Sequence, residues 1–335
     1  MSRVEALSSW QDDWAQMSAV VWGLGEEGFA TADTLVELGV SVCVLTDSED
    51  SDRMTILDVL GVESRVVSRD QWLELAAENR PDLVILTPTA QPTAAELATL
   101  HASNAAVWTP LELVFRVADK VEGGPRIVLI GGENARQIAD LAHQLLLASG
   151  LRSFRGGVDI APALDGIRLP DGLDALLVDV TEQDLHVWAA GSPSTRSPYL
   201  AVCVEDEEPL AHELLLELYR DTSAACVYRR GSGATEKAVE DAWVVEGCRA
   251  IGVGLDSPGM SDLGRVDDIV CDRAFLEDRA DRALELCTTE ELKRAGLDSA
   301  EHALAALAAF ALARAFQVAP ELIGQELGRW GGRGE

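Results

Sequence analysis

The strongest constraint on this chain is a pattern: apolar strand-like runs alternate with helical runs, and two of the joints pass through a glycine-rich turn. Ala19–Trp22 leads into Gly23-Leu24-Gly25-Glu26-Glu27-Gly28 and a helix reaching about Leu38. Ser41–Thr46 is a second strand, ending at Asp47, and Asp82–Leu86 a third. Pro92–Ala102 reads as a helix and Ala105–Trp108 as a short extended run. Pro110–Ala118 reads as a helix opened by proline, whose missing N–H is harmless in a first turn. Val121-Glu122-Gly123-Gly124-Pro125 reads as a linker. Beyond it, Arg126–Ile130 runs into Gly131-Gly132 and a helix over Ala135–Ser149, with Ile138, Leu141, Ala142 and Leu145 on one face. Later strands are predicted at Ala175–Val180, Leu200–Val204, Ala225–Tyr228 and Ala250–Val253, and Ser299–Phe316 is a long Ala/Leu helix. Such alternation predicts an α/β fold with parallel sheets. The linker divides it into residues 1–121 and 126–330, and 335 residues suit two domains of roughly 150 residues each.

The net charge is −30 and the pI about 4.4. Such a surface repels phosphate backbones and anionic lipid, and no basic stripe offsets it, which excludes nucleic-acid binding. Hydrophobic residues make up 47%, enough to fill sizeable cores and to exclude disorder for most of the chain. The longest apolar run, Ala303–Ala313, is too short to cross a bilayer. Glu5, Asp12 and Asp13 leave no secretory-signal order at the start, so a cytoplasmic protein is expected. Cys43, Cys203, Cys226, Cys248, Cys271 and Cys287 form no CxxC pair and read as free thiols of a reducing compartment. His101, His143, His186, His212 and His302 are scattered without zinc-ligand spacing.

The first turn, Gly23-x-Gly25-x-x-Gly28, follows a strand, opens a helix and has Asp47 at the next strand end. That context is a nucleotide fingerprint, because glycine permits the tight turn and lets a pyrophosphate approach the helix N-terminus. Glu26 and Glu27 oppose it: two carboxylates beside a dianion cost on the order of 1 kcal/mol each. As first-turn acids they suit the helix dipole instead. Turn geometry alone and nucleotide binding both stay open on the sequence. The second turn, Gly131-Gly132-Glu133-Asn134-Ala135-Arg136-Gln137-Ile138, stands where a phosphate loop belongs. Such a loop needs glycine so that N–H groups wrap phosphate, then lysine for charge and Ser or Thr for magnesium. Here Ala135 precedes the cation, Arg136 is the cation, Gln137 takes the metal-ligand position and Glu133 adds negative charge. Arginine binds phosphate but is no compact point charge. The run Glu205-Asp206-Glu207-Glu208 reads as a solvated loop and helix start.

Further segments fall in a recognisable order. Thr46-Asp47 is followed by Thr87-Pro88-Thr89, then by Pro110-Leu111-Glu112-Leu113-Val114-Phe115. Gly156-Gly157-Val158-Asp159-Ile160, with Pro162 after it, and His302-Ala303-Leu304-Ala305-Ala306-Leu307-Ala308 complete the series. Through these motifs the chain resembles the Mur ligases of peptidoglycan synthesis, most closely the MurD type, over nearly its whole length. The resemblance implies a Rossmann-like, UDP-binding domain at 1–121, with Gly23, Leu24, Gly25, Gly28, Thr46 and Asp47 at the cofactor-binding positions. It implies an ATP-binding central domain at 126–330, with Gly132, Asn134 and Arg136 at the phosphates. A third domain, a unit of roughly 150 residues, follows in the family, and the chain is expected to stop near its linker.

The departures from the family pattern fall on the chemistry. Arg136 and Gln137 replace the lysine and hydroxyl of the phosphate loop. A magnesium-binding glutamate of the family falls at Asp179, the weak metal candidate of this chain. A family Asn-x-x-x-Asp-His segment becomes Cys203–Glu208, with Glu207 in the altered stretch, and the carbamylated lysine falls near Leu216. These changes predict a catalytically degenerate, binding or scaffold protein of cell-wall synthesis or division. Neither cofactor nor metal is then expected, residual UDP-sugar or nucleotide binding is left open, and a protein partner or homo-oligomer is expected. An active ATP-dependent UDP-N-acetylmuramoyl-L-alanine:D-glutamate ligase, borrowing its last domain from a partner, is the alternative. A second alternative is an NAD-binding oxidoreductase using Gly23–Gly28 and Asp47.

Overall fold

The apolar run at the first glycine turn forms β1 (Ser18–Trp22), buried over its last four residues. A central parallel strand hides both faces and so tolerates an unbroken apolar run. The computed structural model describes residues 3–103, 105–157, 161–190, 197–205 and 210–330. After β1 come α1 (Glu26–Glu37), β2 (Ser41–Thr46), α2 (Ser51–Val59), β3 (Glu63–Val66), α3 (Trp72–Asn79), β4 (Leu83–Leu86), α4 (Ala94–His101), β5 (Ala106–Trp108) and α5 (Pro110–Val117). The strands form one parallel sheet in the order β3-β2-β1-β4-β5. Chain order reverses beside β1, so the crevice past the ends of β1 and β4 is the topological switch point, where open α/β sheets bind ligands. Val20, Trp22, Leu45, Trp72, Val84 and Leu86 fill one face, with Trp22 and Trp72 edge-to-face at 5.3 Å.

The chain continues with β6 (Arg126–Gly131), α6 (Ala135–Ala148), β7 (Ser153–Gly157), α7 (Ala161–Ile167), β8 (Ala175–Val180), α8 (Glu182–Ala190), β9 (Leu200–Cys203), α9 (His212–Tyr219), β10 (Ala225–Arg229), α10 (Gly233–Asp241) and β11 (Arg249–Val253), whose strands enter a second sheet. There follow β12 (Asp262–Val266), β13 (Ile269–Asp272), β14 (Leu284–Thr288), α11 (Thr289–Arg294), α12 (Ala300–Ala315) and α13 (Pro320–Trp330). Strand order is β14-β13-β12-β11-β10-β9-β6-β8-β7, parallel from β7 to β12 and antiparallel at β12–β13 and β13–β14. Ala303–Ala313 of α12 is buried throughout, and its small side chains let α12 pack closely on α6.

The chain forms two compact units, one of Met1–Pro125, Asp159–Gly172 and Glu182–Arg196, the other of Arg126–Val158, Leu173–Thr181 and Ser197–Glu335. In the first, Arg168 fastens the segment after α7 to α1 through Asp33 at 2.5 Å and Glu37 at 2.8 Å. The expected strands are present to within one or two residues. The helix expected from Pro92 starts at Ala94, because Thr93 and Glu96 close a capping box there. Among the described residues no helix is long and apolar enough to cross a membrane, and all six cysteines are free thiols.

Candidate active site

In the first unit the turn after β1 lies at the switch point. Gly23 takes φ +98° and donates its N–H to the Leu45 carbonyl at 2.7 Å. Its left-handed backbone favours glycine. A Cβ on Gly28 would collide with the Gly23 carbonyl, so this glycine lets α1 approach β1. Gly25 is different: a Cβ there would meet only the Thr89 methyl at 3.7 Å, an ordinary contact, and its φ is −96°. Packing does not demand glycine at 25, whereas close approach of a ligand would. Leu24 is buried. Thr46 is buried and donates to the Ser48 carbonyl at 3.0 Å, while Asp47 is exposed beyond β2. Thr87 donates to the Trp22 carbonyl at 2.6 Å and sits 2.8 Å from the Thr89 hydroxyl, so the threonines line the same turn. Glu26 pairs with Arg53 at 3.6 Å, which offsets part of the charge expected to oppose a phosphate.

In the second unit β6 lies between β9 and β8, and its end feeds the Gly131–Asn134 turn into α6. Gly132 takes φ +100°. Asn134 is the residue before α6, with no side-chain cap, and Arg136 and Gln137 follow in the first turn, Arg136 exposed and Gln137 half-buried. Asp179 pairs in register with Ile130, which sets it beside the loop at the strand ends. It is 5% exposed, and neither carboxylate oxygen has a hydrogen-bond partner among the described residues. Burial pushes its carboxyl up to about 6, with Arg155 pulling down, Asp140 pushing up and Arg136 pulling down. A bare buried carboxylate beside a glycine turn fits a divalent cation that takes its other ligands from a bound anion and water. No cluster of three metal-ligating side chains exists among the described residues.

The negative group inside the loop is not the one expected. Glu133 is exposed, and the buried Glu205, just past β9, accepts the Glu133 backbone N–H. Sequence reasoning placed Glu205 in a solvated run. The only signal that could have found it was its position after the strand that neighbours β6. Leu216 is half-buried on α9. His302 is exposed in the first turn of α12, its N–H donating to the Ser299 cap at 3.1 Å. Glu207, like Val158–Ile160, lies outside the described residues.

No family model matches the chain. It is 39% identical over 339 residues to the UDP-N-acetylmuramoylalanine–D-glutamate ligase of Leifsonia xyli subsp. xyli, covering 96% of this chain and 65% of that protein. Identity to the enzyme of the same name from Tropheryma whipplei is 34% over 336 residues, covering 98% and 69%. The same-named protein of Streptomyces avermitilis is 32% identical, covering 91% and 65%. The chain thus spans about two thirds of the length of these relatives. Among solved structures, the UDP-N-acetylmuramate:L-alanyl-gamma-D-glutamyl-meso-diaminopimelate ligase from Neisseria meningitides superposes with a TM-score of 0.52 at 14% identity, covering 94% of this chain and 98% of that one. A murein peptide ligase from Psychrobacter arcticus gives 0.53 at 11% identity, covering 93% and 68%, and both show the shared fold.

These relatives overturn the expectation of a catalytically degenerate, binding-only protein. At 34–39% identity over nearly the whole chain they carry the name of a ligase. The same names run against the oxidoreductase alternative. Changes of side chain at the loop and at Asp179 do not by themselves remove phosphate or metal binding. Phosphate wrapping belongs to the loop backbone, whose glycine geometry is intact at Gly132. A cation stands at Arg136, and a bare carboxylate at Asp179.

Proposed function

Because the chain belongs to the UDP-N-acetylmuramoylalanine–D-glutamate ligase family, we propose that it serves the ATP-dependent joining of D-glutamate to UDP-N-acetylmuramoyl-L-alanine in peptidoglycan synthesis. The observation that carries this reading is Asp179, buried and unpartnered at the end of β8 beside a glycine loop. In amide ligation through an acyl phosphate, ATP phosphorylates the substrate carboxylate, and the amine then displaces phosphate. The chain's part is positioning and charge neutralisation. Backbone N–H groups of Glu133 and Asn134 would hold phosphate oxygens, with Arg136 as the exposed cation. Asp179 would hold magnesium, which when bound neutralises charge on the phosphates. The Gly23–Gly28 turn, with Thr46 and Asp47 at the neighbouring strand end, would take the UDP end of the substrate. Free thiols support a reducing, cytoplasmic setting.

The test measures phosphate release with UDP-N-acetylmuramoyl-L-alanine, ATP, magnesium and D-glutamate. It is run on the chain alone and with the remaining third of the Leifsonia xyli relative added as a separate protein. D-glutamate-dependent release that Asp179→Asn abolishes is the expected result. Absence of substrate-dependent release in both mixtures sinks the reading.

A further inference from the structure

Glu205 has the geometry of a ligand rather than of a surface acid. It is 8% exposed and lies just past β9, the strand that flanks β6. The backbone N–H of Glu133 donates to its Oε1, and the N–H of Asn134 beside it favours the ionised carboxylate. A Cβ on Gly132 would collide with that carboxylate, so the glycine leaves room for it. Consecutive N–H groups between a strand and a helix are the groups that wrap a phosphate. A carboxylate satisfies them with charge-assisted hydrogen bonds, as a phosphate oxygen would. No Lys or Arg among the described residues forms an ion pair with Glu205. Its charged neighbour is Glu133, which repels it. The carboxylate is therefore held by backbone N–H groups, at the cost of burial.

We infer that Glu205 is a built-in occupant of the phosphate seat, and that it sets the nucleotide affinity of this ligase by competing with phosphate for the Glu133 and Asn134 N–H groups. The inference rests on the nucleotide-using reading above. A triphosphate can seat fully only when the Glu205 side chain swings out, so the occupant lowers affinity without blocking the site permanently.

The test uses Glu205→Gln, which keeps size and removes charge, and Glu205→Ala, which vacates the seat. Calorimetric titration with the magnesium complex of a non-hydrolysable ATP analogue is the first readout. Binding tighter than wild type by about tenfold or more in Glu205→Ala, with Glu205→Gln between the two, supports the inference. Equal affinity in all three proteins overturns it and leaves the nucleotide reading standing. The second readout needs no nucleotide: amide resonances of Glu133 and Asn134 in the ligand-free, isotope-labelled chain. Their movement in Glu205→Ala supports the occupancy, even if no protein binds nucleotide and the ligase reading fails. Unmoved amides overturn it.

Discussion

Asp179 stands directly beside Ile130 across the β8–β6 pairing, and Ile130 precedes the glycine pair of the loop. A carboxylate is thereby buried next to the Gly131–Asn134 turn, with Arg155, Asp140 and Arg136 as its charged surroundings. Its carboxyl titrates at about 6 rather than 3.8. Between those values the folded chain keeps a proton that the unfolded chain has released, so this group's contribution to stability falls as pH rises through that window. His101 and His143, lowered by burial, act in the opposite sense, adding stability as pH rises towards the ordinary histidine value. The comparison of Asp179→Asn with wild type isolates the carboxylate. The variant should gain on wild type by on the order of 2 kcal/mol between pH 4.5 and 7, read from urea unfolding. A constant difference across that range refutes the assignment.

Gly25 and Gly28 lie three residues apart and answer to different constraints. Gly28→Ala places a methyl group against the Gly23 carbonyl and must push α1 off β1, a loss of roughly 1–3 kcal/mol by overpacking. Gly25→Ala meets only the Thr89 methyl and should leave the melting temperature nearly unchanged. If Gly25 faces the UDP end of the substrate, the same variant weakens UDP-N-acetylmuramoyl-L-alanine binding by about tenfold, a steric loss of about 1.4 kcal/mol. Melting curves and tryptophan-fluorescence titration separate the two effects. Unaltered binding in Gly25→Ala removes that turn from the substrate site.

The strand–glycine–helix joints were legible because burial of β1 and β6 on both faces leaves unbroken apolar runs, as in Ile127–Ile130. The edge strand β3 was not. Glu63–Val66 has no buried residue and no apolar run to betray it. The antiparallel extension β12–β14 is held by pairing across short, charge-bearing segments such as Asp262–Val266, whose pattern resembles loop sequence. At the site, Gly132 and Asp179 could be read from position along the chain. The Glu205–Glu133 contact could not, since it joins residues far apart in sequence through adjacent parallel strands.

Arg136 is exposed on the first turn of α6, the cation that follows the loop. If it contacts phosphate, Arg136→Ala removes a charge-assisted hydrogen bond, and kcat/KM for ATP should fall about tenfold or more. Arg136→Lys keeps the charge and loses the planar fork, so it should fall between the two. Its fold should be untouched, since no packing depends on the exposed guanidinium. Steady-state kinetics at varied ATP checks the order; equal rates for Arg136→Ala and wild type exclude the contact.

The second unit depends on an ion pair far from the loop. Arg314 of α12 reaches the Asp272 carboxylate of β13 at 2.8 Å, where Asp272 is fully buried and also accepts the N–H groups of Ala274 and Phe275. Arg314 further donates to the Val318 carbonyl at 2.6 Å, tying the end of α12 to the turn before α13. Removing one partner strands the other charge in a dry setting. Arg314→Ala should therefore cost about 3–5 kcal/mol in urea unfolding. The double variant Asp272→Leu with Arg314→Met removes both charges together and should cost clearly less than the sum of the single changes. Strict additivity would show that the pair is not coupled and that α12 is held by its alanine face alone.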